Sequence, residues 1–266
     1  MDSQSRSKIN QLLARWPKGV VGPASWLRDQ GISRQLAEIY RKSSWLRRIG
    51  HGVYVRADDA HIDWTGALWS MQQLMHMSVH PGGKTALELL GDAHFLPLGG
   101  GRLTLYSEQG ERLPAWFRKH RWGVKVVHSA TNLFPTDLGM TEHASRDLAL
   151  QVSTRERAMM ELLHFVPEKE SLDEARLLMR GLTSLRPVLI QQLLESCNSI
   201  KVKRLFLVLA EEAQHGWVEK LDLSKTNLGK GKRVLAKGTK GGRLHRKYQL
   251  ILPSDDESSE SDTERL

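Results

Sequence analysis

Cysteine, long apolar runs and catalytic signatures are all scarce in this sequence, and each scarcity closes a class of function. The 266 residues contain one cysteine, Cys197. A lone thiol cannot close an internal disulfide and fits a reducing compartment, so a cytoplasmic location is expected. Its helical, mostly apolar neighbourhood makes it a buried structural thiol rather than a nucleophile, and one cysteine excludes a thiolate zinc site. No stretch approaches the ~18 consecutive apolar residues that suggest a membrane span. The opening MDSQSRSKIN has no apolar core of the kind a signal peptide needs. Neither export nor a membrane partner is expected.

The catalytic patterns are missing too. Eleven histidines are scattered along the chain; His76 and His80 are four apart, but Met77 breaks the HExxH pattern. No serine sits in GxSxG. The pairs Asp58-Asp59 and Glu211-Glu212 have no neighbouring base, and glycine-serine followed by spaced aspartates, as in nucleotidyltransferases, is absent. Gly83-Lys84-Thr85 matches the end of a phosphate loop, yet Ser78 stands where its first glycine is required and a helix precedes it instead of a strand. The sequence is read as non-enzymatic, with no metal and no cofactor.

What the chain has is positive charge, unevenly placed. Lys and Arg number 39 against 30 Asp and Glu, a net charge of +9. Residues 1–60 carry +6, residues 61–216 are neutral, residues 217–250 carry +8, and residues 251–266 carry −5. The two basic stretches are candidates for phosphate contact. The length suggests about two domains.

The basic N-terminal stretch has an organised pattern. Gly22-Pro23 opens a helix, with proline at its first position, and Gly31 closes it. Ser33 caps a second helix after a link of about three residues, the spacing of a helix-turn-helix. In that second helix Leu36, Ile39 and Tyr40 are expected to pack inward, while Arg34, Gln35, Glu38, Arg41 and Lys42 form an opposite polar stripe. Leu46 to Ile49 and Val53 to Arg56 flank Gly50-His51-Gly52 as a hairpin. A polar stripe alone is commonly a solvated face, and winged helices also dock proteins. Short link, capped helix, immediate β-ribbon and excess positive charge together point to double-stranded DNA. The expected DNA-binding residues are Ser33, Arg34, Gln35, Glu38, Arg41, Lys42, Arg47, Arg48 and His51.

The remaining elements are read more coarsely. Ile9, Leu12, Leu13 and Trp16 mark a helix over about 5–16, and apolar spacing from Trp64 predicts a long joint helix over 62–79. Thr85 to Leu90 is a short helix; RLTLYS, GVKVVHS and LALQV are strands, with a helical turn from Pro114 between the first two. Ser153 to Glu156 and Ser171 to Glu174 look like capping boxes opening helices. Pro187 begins another helix, VKRLFLVLAEEAQ the last, and YQLILP a final strand. Residues 224–247 mix Lys, Arg and Gly, as either a flexible basic loop or a phosphate-binding surface. The fold class is α+β: a winged helix-turn-helix over 1–60, a helical connector over 61–97, a mixed α+β domain over 98–253, and a disordered acidic tail over 254–266.

Several strings resemble one known family: WLRRIGHGVYVR, HPGGKTALELLGDAHFLPLG, LPAWF, STRERAMMELL, KVKRLFLVLAE and NLGKGKR. They are similar to the AbiEi antitoxins of bacterial abortive-infection, phage-defence toxin–antitoxin systems, over about residues 8–253. The acidic tail departs from that pattern. The resemblance implies a winged helix that binds inverted repeats at its own promoter and represses it. It also implies a C-terminal domain that neutralises a nucleotidyltransferase-like toxin, with that toxin or its nucleic-acid target as partner. Carried over by position, Arg155, Arg157, Lys203, Arg204, Lys230, Lys232 and Arg233 are the expected antitoxin surface or phosphate contacts. A one-component repressor whose C-terminal domain binds a ligand or dimerises is the alternative.

Overall fold

The computed structural model describes residues 3–92, 101–235 and 242–253. The acidic tail over 254–266, the boundary at 97/98 and Lys237 and Lys240 of the basic segment lie outside the described residues. Two compact units interleave along the chain: residues 1–80, 100–130 and 142–151 form one, and residues 81–99, 131–141 and 152–266 the other. The strands at RLTLYS and GVKVVHS, which the sequence reading groups with residues 98–253, thus cluster with the N-terminal unit.

The first unit begins with α1 (Ser3–Arg15), β1 (Gly22–Pro23), α2 (Ala24–Asp29), α3 (Arg34–Lys42), β2 (Leu46–Gly50) and β3 (Val53–Arg56). The three strands form one sheet in the order β1–β3–β2. Pro23 is not the first helical residue. It is extended at φ −65°, ψ 149° and pairs with Val53, so Gly22-Pro23 closes the sheet before the helix starts at Ala24. Gly22 is required there because a Cβ would collide with the Trp16 ring. That ring is buried, donates Nε1 to the Val20 carbonyl at 3.0 Å, and packs edge-on to Trp26. Ile9, Leu12, Leu27, Ile32, Ala37, Tyr40, Leu46 and Tyr54 complete this core. Ile39, expected inside, is 47% exposed. At about 100° per residue the buried arc runs through Leu36, Tyr40 and Ala37, and Ile39 falls beyond it beside Gln35.

The joint helix is shorter than its apolar spacing predicts. α4 (Trp64–Trp69) is capped by Asp63, which accepts from the amides of Thr65 at 3.0 Å and Gly66 at 3.3 Å. It then widens into a π-helical turn, Ser70–Leu74, and stops. Within that turn the Gln72 side-chain amide is fully engaged. It donates to the carbonyls of Val79 and Gln151, both at 2.8 Å, and accepts from the Gln151 amide at 3.0 Å. One side chain thereby serves the backbone of a strand and of the segment that follows the helix.

Onward run β4 (His80–Pro81), α5 (Gly83–Leu89), β5 (Arg102–Ser107), α6 (Ala115–Lys119), β6 (Lys125–Ala130), β7 (Met140–Ser145) and β8 (Leu148–Ser153). β5 and β6 are parallel, joined through α6. The polar strand β7 was not anticipated from the sequence. The helical unit follows with α7 (Arg155–His164), α8 (Leu172–Gly181), α9 (Pro187–Ser196), α10 (Ile200–Glu212), β9 (Arg233–Val234), β10 (Arg243–His245) and β11 (Leu250–Leu252). Its core gathers Met159, Met160, Leu163, Met179, Leu193, Phe206 and Leu250, with α10 buried from Val202 through Ala210. An all-round buried helix has no solvent face on which to display charge.

Three residues expected on the surface are inside, Lys203 and Arg204 on α10 and Arg157 on the equally buried α7: Arg157 is 5%, Lys203 3% and Arg204 2% exposed. Arg157 pairs with Glu161 at 2.8 Å and donates Nη1 to the carbonyls of Pro135, Thr136 and Leu138 at 2.7–3.0 Å. Arg204 donates to the carbonyls of Leu228 at 2.7 Å, Gly231 at 2.8 Å, Gln249 at 2.9 Å and Gly229 at 3.2 Å. Lys203 lies near Cys197. The capping box at Ser153 does not form either. α7 begins after Thr154, and the Ser153 hydroxyl donates instead to Glu161 at 2.8 Å. Glu156 is taken by Arg186, which donates its amide at 2.9 Å and two guanidinium nitrogens at 3.0 Å. At Ser171 the serine cap forms, accepting from the amides of Asp173 and Glu174, while the Glu174 carboxylate pairs with Lys84.

Two outcomes follow from this packing. A Cβ on Gly66 would land on the Gly19 carbonyl, a backbone group with no rotamer to escape into. Gly66→Ala should cost about 3 kcal/mol, the upper end for overpacking. Gly181→Ala, whose Cβ meets nothing within 4 Å, should stay within about 0.5 kcal/mol; thermal and denaturant unfolding compare the two. Burial also pushes the Cys197 thiol up to about 11. At pH 8 about one molecule in a thousand then carries the thiolate. Alkylation of native protein should be far slower than that of the unfolded chain, and equal rates would contradict the burial.

Candidate nucleic-acid interface

The link between α2 and α3 is shaped by Gly31 at φ +75° and plugged by Ile32, which is 1% exposed. The Gly31 amide donates to Arg28 and the Ile32 amide to Leu27, both at 2.9 Å, so the chain leaves α2 with its last carbonyls satisfied. Ser33 caps α3 by accepting from the Leu36 amide at 3.2 Å. With the buried arc of α3 turned inward, Arg34, Gln35, Arg41 and Lys42 are exposed and Glu38 is half-buried. β2 and β3 then turn at His51-Gly52, with Gly52 at φ +68° and a register shift between Arg48 and Gly50.

Polar contacts tie wing to helix. Glu38 accepts from Arg41 Nε at 2.8 Å and from the Tyr54 hydroxyl at 3.1 Å. The Arg41 hydrogen bond is the largest influence holding the Glu38 carboxyl below its ordinary range, with Tyr54 adding to it against some desolvation. Burial, then Glu38, raises the Tyr54 hydroxyl, so Tyr54 stays protonated and able to donate. On the wing Arg48 donates Nε to the Gly50 carbonyl at 3.0 Å, and its Nη2 lies 3.2 Å from His51 Nδ1. Arg47 reaches the Asp59 carbonyl at 3.3 Å. Arg56 ends the ribbon by donating to the carbonyls of Leu13 and Trp16 at the end of α1, while pairing with Asp58.

Between α2, α3 and the wing tip opens a cavity of about 360 Å³, lined among others by Ser25, Arg28, Arg34, Arg48, His51 and Tyr54. Three guanidinium-bearing residues and two hydroxyls around an open groove suit the phosphate and sugar edges of a nucleic acid. The groove brings together Arg34, Glu38, Arg48 and His51 of the residues expected from sequence. Ser25 and Arg28 line it without having been singled out; Arg28, a cation in the last turn of α2, was the available signal.

The expected second set divides. Arg155 is exposed and engaged, with Asp92 at 2.6 Å and the Leu90 carbonyl at 2.8 Å. Lys230, Lys232 and Arg233 are exposed on the segment whose carbonyls Arg204 holds. Lys84, the cation of the would-be phosphate loop, pairs with Glu174 at 2.5 Å. Among the described residues no three His, Cys, Asp or Glu side chains cluster as metal ligands. No described helix is long and apolar enough to cross a membrane.

Two family models match the chain. Residues 5–98 match the AbiEi antitoxin N-terminal domain of transcriptional regulators, and residues 100–253 match the transcriptional regulator, AbiEi antitoxin, of type IV toxin–antitoxin systems. The crystal structure of the RV2827C protein from Mycobacterium tuberculosis aligns over 94% of this chain and 92% of its own, with 16% identity and a TM-score of 0.57, a likeness of fold. No curated protein matches the chain. A transcriptional regulator binds DNA, and the N-terminal helices and ribbon are those of a winged helix-turn-helix. The chain belongs to the AbiEi antitoxin family, non-enzymatic transcriptional regulators of type IV toxin–antitoxin systems.

Proposed function

We propose that the protein represses its own promoter by binding inverted repeats with the winged helix, and that its C-terminal region neutralises a nucleotidyltransferase-like toxin. The observation that carries the first half is the outward array of Arg34, Gln35, Arg41 and Lys42 on a helix capped by Ser33, with Arg48 and His51 on the adjoining ribbon. Arg34 and Gln35 occupy the first turn, and the N-terminal residues of a recognition helix contact base edges. Arginine pairs bidentately with guanine and glutamine with adenine, each worth about 1–3 kcal/mol of discrimination. The wing arginines hold phosphates and so position without reading.

The test is binding to the region upstream of the chain's own reading frame, compared with random duplex over a range of salt. Arg34→Ala or Gln35→Ala should lose about 10-fold or more on the upstream site and less on random DNA. Arg47→Ala should weaken both alike and lower the salt slope by about one unit. Equal losses on both duplexes for all three variants would defeat the division between reading and positioning.

Support for the second half is the exposed Lys230, Lys232 and Arg233, with Arg204 fixing the backbone beneath them. Neutralising all three together should leave the fold intact and weaken any phosphate contact at low salt more than at high salt. Co-expression with a cognate nucleotidyltransferase-like toxin in a growth assay reads their part in protection. Unchanged DNA binding together with unchanged protection would reduce this segment to a solvated loop.

A further inference from the structure

Ile39 is a large apolar side chain placed where a buried one was expected, and nearly half of it faces solvent. On α3 it is the i+4 neighbour of Gln35 and adjoins Lys42 around the helix, so it shares the outward side with the polar array. Around it stand Gln35 and Lys42, both exposed. An isoleucine in that setting has no core to enter. Nor is it helped by its neighbours, which are hydrated cations and amides. Exposed singly it is an ordinary surface feature, but its place within a polar, cation-rich helix face narrows what can cover it to a surface that is itself charged with apolar spots. The major groove of DNA is such a surface. Phosphates line its walls, and the only large apolar group on its floor is the thymine 5-methyl.

We infer that Ile39 is a specificity-determining residue that packs on a thymine methyl, next to the base contacted by Gln35. The inference rests on the DNA-binding reading above and deepens it. Gln35 and Ile39 project from successive turns, about 6 Å apart along the helix, so the two side chains can meet neighbouring base pairs on one strand. A glutamine that reads adenine beside an isoleucine that reads a methyl makes this side of the helix select A·T-rich sequence. Arg34, on the other flank, selects guanine.

The test uses the full-length protein and the footprinted duplex from upstream of its own reading frame, synthesised with thymine and again with uracil in its place. Uracil pairs identically and lacks only the methyl. Wild-type protein should bind the uracil duplex more weakly, by about fourfold for each methyl contacted, the worth of one buried methyl group. Ile39→Ala should weaken binding to the thymine duplex by a similar factor and bring the thymine-to-uracil ratio close to one. Ile39→Val, which keeps a branched apolar surface, should restore part of that ratio. Since Ile39 is exposed and alanine is a better helix former, the variant is expected to fold as the wild type. An unchanged ratio in Ile39→Ala overturns the inference while leaving specific binding intact. So does a shift of Ile39→Ala to a smaller oligomer in light scattering with the ratio preserved, which would mark Ile39 as a contact between copies of the chain. If the wild type prefers the upstream duplex no more than random DNA, the DNA-reading proposal itself falls, and this one with it.

Discussion

A guanidinium taken out of water must find acceptors for its donors, and that requirement shapes the helical unit. Arg204 is fully enclosed and spends its donors on four backbone carbonyls, from Leu228, Gly229, Gly231 and Gln249. Gly229 and Gly231 both adopt the left-handed conformation, which side chains disfavour and which lets the carbonyls around them turn toward one point. Arg157 does the same for residues 135–138, with Glu161 supplying the compensating charge. Removing one partner of a buried pair costs about 3–5 kcal/mol, far more than a surface pair is worth. The two arginines therefore act as the cores of irregular loops that hold few apolar side chains of their own. Burial lowers the Arg204 guanidinium somewhat, with Arg233 adding to the effect, yet an arginine remains charged throughout the physiological range.

In the first unit the corresponding link is Tyr54. Its ring belongs to the core shared with α1 and α3, while its hydroxyl reaches Glu38 on the outward side. A single residue of the ribbon thus sets both the depth of the wing against the helix and the orientation of Arg41 through Glu38. Arg56, two residues on, fastens the same strand to the end of α1. α3 and the wing are thus tied together through Glu38, a member of the outward polar array, while Arg56 anchors the ribbon from its far end.

Local patterns were legible in the sequence where one physical signal dominated. Ser33 and Ser171 could be identified as caps because a hydroxyl before an apolar-periodic run has little else to do. The glycine-bounded ribbon and the outward polar stripe of α3 were legible for the same reason. Signals failed where two uses of a residue compete. Ser153 has the spacing of a cap but finds a buried carboxylate, Glu161, and a charged acceptor is the stronger partner. Arg157, Lys203 and Arg204 looked like surface because they are charged, whereas α7 and α10 are buried all round at these positions and leave them nowhere to go but inward. Ile39 was misjudged by one step around the helix. Gln72 was overlooked altogether, since its partners lie on a strand 79 residues later. Long-range polar contacts of that kind leave no periodic trace.

The place of Glu38 carries a kinetic consequence. If α3 lies against DNA as proposed, a carboxylate in the middle of its cationic face, held ionised by Arg41 and Tyr54, repels the phosphates of every duplex equally. That repulsion lowers affinity for non-cognate sequence, where nothing offsets it. At a cognate site a cytosine amino group can donate to the same carboxylate and cancel the loss. Against the millions of competing sites in a genome, occupancy is governed by the ratio of the two affinities. In the proposed complex, Glu38 would shorten the dwell time on the wrong sites, and the protein would return sooner to the search.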